Sequence, residues 1–269
     1  MPKPLRLNDQ GQIILTDGPV DLLPYEDRPF IQREIMTDAE IVANAGSDLI
    51  LDAESYPNYF MCGFKHPKLN KFICLENNFN PQFLSWLLFN YRTIGFNSYD
   101  YDLMMLWASF VNRDPRFLKE VSNALILSGL RPKEIEKQFG FKVYETRHID
   151  MVEVCPLKGS LKLYAARLHA ARLQDLPYPD TKELTEDEIN IVRNYNFNDL
   201  ELTQLTYDFN KDRLDLRATM SIEYEEDLMS KSDAQIAEAV LTKEVKKLTG
   251  KWPRRPEIKE GTAYKYEVP

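Results

Sequence analysis

Two carboxylates two residues apart close an apolar run, Asp48-Leu49-Ile50-Leu51-Asp52-Ala53-Glu54. Read as a buried β-strand, the run sends alternate side chains to opposite faces, so Asp52 and Glu54 share one face. Burying such a pair without a cation is costly, and hard divalent ions such as Mg²⁺ accept oxygen-rich surroundings. A second acidic element, Gly95-Phe96-Asn97-Ser98-Tyr99-Asp100-Tyr101-Asp102-Leu103, reads as a strand running into a turn and a helix start. Asp100 and Asp102 differ in direction, so at most one faces the Asp52/Glu54 edge, and either suits a helix N-terminus. In the third, Tyr195-Asn196-Phe197-Asn198-Asp199, the i, i+4 spacing puts Tyr195 and Asp199 on one helix face. Each element alone has an ordinary reading: a solvated strand end, a helix-start acid, a core Tyr beside a solvated Asp. Together, four acids from two strands and a helix could hold two divalent cations about 4 Å apart, stabilising both attacking and leaving oxygens of a phosphoryl transfer.

The elements that must position these groups are readable in outline. Residues 1–45 form a Pro- and Asp-rich lead segment with a short strand at 12–15 and a turn at Asp17-Gly18-Pro19. Thr37-Asp38-Ala39-Glu40 has capping-box spacing. Strands are expected at 48–54, 59–64 and 71–75 as an antiparallel meander, at 93–97, and at 148–152. Helices are expected at 81–91, 101–110, 115–140 with a break around 128–132, and 161–172. A second capping box at Thr185-Glu186-Asp187-Glu188 opens a long helix to about 209, and Ser232 caps a last helix ending at Gly250. The tail from Lys251 is basic and Pro-containing. The order predicts an α/β architecture with a mixed sheet flanked by helices, and a helical C-terminal extension.

Composition narrows the class. With 269 residues, 43% hydrophobic and 28% charged, the chain reads as a globular protein able to bury a sizeable core. No run is long enough to span a bilayer, no secretory signal pattern is seen, and a cytoplasmic location is expected. Cys62, Cys74 and Cys155 are scattered without a Cys-x-x-Cys pair and read as small hydrophobes in a reducing compartment. A net charge of −8 argues against holding nucleic acid mainly by a basic surface. It leaves open an acidic site neutralised by metal.

The order and spacing of the three acidic elements resemble the DEDD (DnaQ-like) 3′–5′ exonucleases, a family with a ribonuclease H-like fold. Asp52 and Glu54 match the first motif. Asn97, Tyr101 and Asp102 look like the second, in the form found in family B polymerase proofreading domains, which selects Asp102 over Asp100. Tyr195 and Asp199 match the third, in its tyrosine form. The nearest histidine, His169, stands six residues before Asp175 where the histidine form requires five. Gly159-Ser160-Leu161-Lys162-Leu163-Tyr164 resembles the Ser-Leu-Lys stretch between the later motifs. The resemblance covers residues 46–210, so the exonuclease domain is expected at 46–212, with 213–269 as an extension that links to further chain in a phage-type polymerase.

The resemblance implies two Mg²⁺ or Mn²⁺ ions held by Asp52, Glu54, Asp102 and Asp199, with Tyr195 positioning the attacking water. The implied substrate is single-stranded DNA or a frayed primer 3′ end, with release of nucleoside 5′-monophosphates. A polymerase domain, in cis or in trans, is the implied partner, and no membrane. Asn97 is expected to touch substrate. Tyr56, Tyr59 and Phe60 follow the first motif closely and are expected either to touch terminal bases or to pack in the strands. Lys158, Lys162, Arg167 and Arg172 are candidate phosphate contacts beside the plainer reading of solvated helix charges, and Lys251-Trp252-Pro253-Arg254-Arg255 is a candidate nucleic-acid contact. His66, His148 and His169 are expected as surface or satisfied structural residues. An RNA-trimming enzyme of the same fold, and a non-catalytic nucleic-acid-binding or polymerase-docking module, are the competing readings.

Overall fold

Alternation along one long strand divides the molecule into two sides. The structure, a computed structural model, describes residues 6–7, 13–14, 33–156 and 159–254. Near the start, β1 (Arg6–Leu7) pairs antiparallel with β2 (Ile13–Ile14); the expected turn at 17–19 lies outside the described residues. After α1 (Asp38–Ala43), opened by the Thr37/Glu40 capping box, come β3 (Asp48–Tyr56), β4 (Tyr59–His66) and β5 (Lys71–Glu76) as an antiparallel meander. Then follow α2 (Pro81–Asn90), β6 (Arg92–Gly95), α3 (Asp102–Ser109), α4 (Pro115–Leu127) and α5 (Pro132–Phe139). β7 (His148–Asp150), α6 (Met151–Val154), α7 (Leu161–Arg167), α8 (Glu186–Phe209), α9 (Lys211–Glu223) and α10 (Asp233–Thr249) complete the chain.

The five-stranded sheet runs β5-β4-β3-β6-β7, with β6 and β7 parallel to β3. This is the mixed sheet the sequence predicts, flanked by helices and consistent with a ribonuclease H-like fold. On one face Leu49, Leu51, Ala53, Phe60, Cys62 and Phe64 pack against α2, α3 and α4. On the other, Ile50, Ile94, Ile149 and Phe72 lie under Phe197 and Leu200 of α8. Each fully buried side chain of this kind contributes roughly 1.5–3 kcal/mol. The even-numbered positions of β3 therefore face α8, and Asp52 and Glu54 are among them.

Residues 33–36, assigned by sequence to the lead segment, attach to the sheet. Ile35 forms a parallel bridge with Phe72, and Arg33 reaches Glu201 (3.1 Å) and Asn194 (2.8 Å) on α8. Several elements differ from expectation: the strand expected over 93–97 stops at Gly95, before Asn97 turns left-handed at φ 58°. The strand expected to reach residue 152 stops at Asp150, whose carboxylate accepts the Val152 amide and N-caps α6. The helix expected over 161–172 ends at Arg167, because His169 adopts φ 58° and breaks the repeat. α9 falls largely within the expected helical extension, although no helix is expected at Lys211–Glu223 itself. No described helix is long and apolar enough to cross a membrane.

Candidate active site

The site opens where β6 stops. Its pairing with β3 ends at Ile50, so the β3 edge from Asp52 onward has no strand partner on that side. The carboxyl ends of strands beside such a divergence are where open α/β sheets place ligands. There the Ala53 amide donates to Asp102 Oδ1 at 2.8 Å, tying the start of α3 to the middle of β3. Asp102 is buried and Asp100 exposed, which is the choice the motif spacing makes.

From the other side, α8 lays Tyr195, Asn196 and Asp199 over the same stretch of β3. The close approach depends on Gly63, which pairs with Asp52: a Cβ there would stand 1.9 Å from Asn196 Oδ1. Asn196, fully buried, uses its Nδ2 to donate to Asp52 Oδ2 at 2.8 Å and to the Asp52 carbonyl at 3.1 Å. Lys162 of α7 donates to the Tyr195 hydroxyl at 2.9 Å, and its ammonium lies 4.8 Å from that ring's centroid. Asp199 stands one helical turn on from Tyr195, on the same face of α8.

Burial and mutual repulsion dominate the electrostatics. Desolvation, then the charges of Glu54, Asp102 and Asp199, raise Asp52 well above the carboxylate range. Glu54 is raised by desolvation and by Asp199 and Asp102, with Lys162 opposing. Asp102 is pushed up by burial to about 8. Asp199 is raised by burial to about 6 against the pull of Lys162. Burial also raises the Tyr195 phenol, so it stays protonated. Among the described residues no three His, Cys, Asp or Glu side chains already stand as a ligand set around one point. Four like charges oppose such convergence, and a cation reverses that balance. The donor set, oxygen-only and carboxylate-rich, fits a hard divalent ion.

The structure sorts the remaining sequence candidates. Asn97 is exposed at the turn before α3, in the left-handed conformation with φ 58°. Tyr56, Tyr59 and Phe60 are corrected to packing residues. All three are buried to within 2%. Tyr59 donates to Glu76 (2.6 Å), Tyr56 to the Tyr178 carbonyl (3.3 Å), and Phe60 points to the opposite face of the sheet from the acids. Arg167 and Trp252 are exposed, the latter under Lys246 at 3.8 Å; Lys158 and Arg255 lie outside the described residues. His148 is held between Thr93 (2.8 Å) and Ser98 (2.7 Å), and burial lowers it to about 3, so it is a neutral structural group. His66 bonds Ser47 (2.9 Å) and the Leu69 amide (3.1 Å). Cys62 is buried, and Cys74 and Cys155 are half-buried free thiols.

Asn196 is the residue of this candidate site that sequence reasoning missed. It sits inside the third motif, and the only signal pointing to it is a glycine in β4 that α8 has to cross. Comparison with protein-family models, curated proteins and solved structures gives no match.

Proposed function

We propose that this chain is a divalent-cation-dependent 3′–5′ exonuclease that hydrolyses the terminal phosphodiester of single-stranded DNA, in a proofreading role beside a polymerase. The observation that carries the reading is the gathering of Asp52 and Glu54 of β3, Asp102 of α3 and Asp199 of α8 around one stretch of β3. Each of the four is buried enough to have its carboxyl pKa raised. A purely structural site would gain stability by replacing such acids with neutral groups. Mg²⁺ or Mn²⁺, two ions in this reading, would neutralise the acids and supply the Lewis acidity that phosphodiester hydrolysis needs.

The chain's own residues supply the positioning. Asn196 fixes Asp52 against the strand, and the Ala53 amide fixes Asp102. Lys162 sets the Tyr195 hydroxyl oxygen, leaving the phenol to orient a water rather than to deprotonate it. Lys162 also supplies positive charge beside Glu54 and Asp199, where a phosphate would add negative charge. Asn97, exposed at the turn before α3, is available to substrate.

The test is degradation of a 5′-labelled DNA oligonucleotide with Mg²⁺ or Mn²⁺, beside EDTA and Asp52→Ala controls. A metal-dependent ladder shortening from the 3′ end, lost in the variant, is the expected outcome. Nucleic-acid binding without cleavage in either metal would overturn the enzyme reading in favour of a docking module. A matched RNA oligonucleotide separates a DNA from an RNA exonuclease.

A further inference from the structure

One carboxylate near the site is taken up by backbone amides. Asp150, at the end of β7, is 2% exposed. Its Oδ1 accepts the Asn97 amide at 2.7 Å and the Val152 amide at 3.1 Å, while Oδ2 accepts the Tyr99 amide at 3.0 Å. Amides close together around a left-handed residue form an anion-holding concavity, and here Asn97 is that residue. These backbone amides oppose the burial that raises the Asp150 carboxyl, and the carboxylate pins both ends of the turn that leads into α3. The Leu103 amide bonds the Ser98 carbonyl at 2.9 Å, so the first turn of α3, with Asp102, is built directly on that pinned segment.

Asp150 is itself held from the C-terminal extension. Ser230 Oγ accepts the Asp150 amide (3.0 Å) and donates to the His148 carbonyl (2.9 Å), closing the free edge of β7. The loop carrying Ser230 is gathered by Arg217 of α9, 4% exposed, whose guanidinium donates to the carbonyls of Leu228, Met229 and Lys231 and to that of Glu153.

Resting on the exonuclease reading, we propose that Asp150 is a positioning residue whose carboxylate, set by Ser230 of the extension, locks the turn preceding α3 and thereby the placement of Asp102. The extension is then part of the site's scaffold and more than a tether. An Asn at 150 matches the carboxylate in size but exchanges one acceptor for a donor, so it cannot receive the Asn97 and Tyr99 amides together.

The experiment compares wild type, Asp150→Asn and Ser230→Ala in the full chain. It reads amide hydrogen exchange across residues 95–103 without metal, Mn²⁺ affinity by calorimetry, and kcat and KM on a DNA oligonucleotide. Expected for Asp150→Asn are faster exchange confined to that segment and Mn²⁺ binding weakened roughly 10–100-fold. The kcat loss should be rescued by raising Mn²⁺, with KM for DNA little changed. Ser230→Ala, which keeps the carboxylate, should give the same pattern in weaker form, and it decides the matter if Asp150→Asn does not fold. Wild-type exchange and Mn²⁺ affinity in both variants would overturn the proposal; so would exchange rising throughout the sheet with a fallen melting point. If wild-type protein binds Mn²⁺ but cuts nothing, the exonuclease reading fails while exchange and affinity still decide the role of Asp150.

Discussion

The side-chain amide of Asn196 has only one orientation that makes chemical sense. Its nitrogen meets two oxygens of Asp52, while its oxygen is buried without a partner against Gly63. That unpaired acceptor costs stability, and what it secures is a fixed Asp52. A hydrogen bond to a charged group is worth about 1.5–3 kcal/mol, so Asn196→Ala is expected to weaken Mn²⁺ dependence and turnover by roughly tenfold or more. Titrating Mn²⁺ in the oligonucleotide assay checks this, and an unchanged midpoint would show that Asp52 needs no holder. Tyr195→Phe removes the hydroxyl that Lys162 orients but leaves every carboxylate. Its kcat should therefore fall less than that of Asp199→Ala, measured at saturating metal. Asp52, Glu54, Tyr195 and Asp199 stand out in the sequence because strand alternation and i, i+4 spacing are local rules, whereas only the motif resemblance selects Asp102 over Asp100. Asn196 is not legible there, since its role depends on where α8 crosses β4. Tyr56, Tyr59 and Phe60 show the converse: proximity in sequence to Glu54 says nothing about exposure, and alternation sends Phe60 to the far face.

At the level of elements, Gly63 sets the distance between sheet and helix. With a Cβ 1.9 Å from Asn196 Oδ1, Gly63→Ala has to displace α8 or rotate Asn196 away from Asp52. Overpacking of this kind typically costs about 1–3 kcal/mol. The expected result is a lower urea midpoint together with reduced activity, whereas Gly46→Ala, with open space at the Cβ but φ 94°, should lower stability alone. An active Gly63→Ala protein with full Mn²⁺ affinity would show that the helix has slack. The sheet and the long helix were legible from periodicity and capping boxes. α9 was not: within Lys211–Glu223 only Leu214 and Arg217 are buried, too little apolar pattern to signal a helix. The end of β7 was equally hidden, because Asp150 terminates the strand by capping α6 with its own side chain.

For the whole molecule, the crowded acids make folding itself sensitive to pH and metal. Asp102 moves from an ordinary 3.8 to about 8, and Asp199 from 3.8 to about 6, both first through burial. The folded state thus binds these protons more tightly than the unfolded chain. Their contribution is fully present below about pH 4 and is lost as pH rises through about 6 and then 8. In EDTA the melting point should therefore fall between pH 5 and pH 8, by roughly 2–4 °C for each kcal/mol. Added Mg²⁺ or Mn²⁺ should recover it most at the alkaline end. Scanning calorimetry at the two pH values decides this, and equal melting points without metal would mean that the acids are better solvated than their burial indicates.

The short segment before α1 has a consequence of another kind. Phe72 exchanges backbone hydrogen bonds with Glu34 (2.9 Å) and Met36 (2.8 Å), and Lys71 sits between Glu34 (3.3 Å) and Glu40 (2.7 Å). The Phe72 position of the outermost strand is thereby covered, and an open rim of amides and carbonyls there would template further strands. A chain shortened to begin at residue 37 would bare that rim. Its particle size in light scattering should grow with protein concentration, a failure of solubility separate from the loss of the Arg33 contacts to Asn194 and Glu201 of α8.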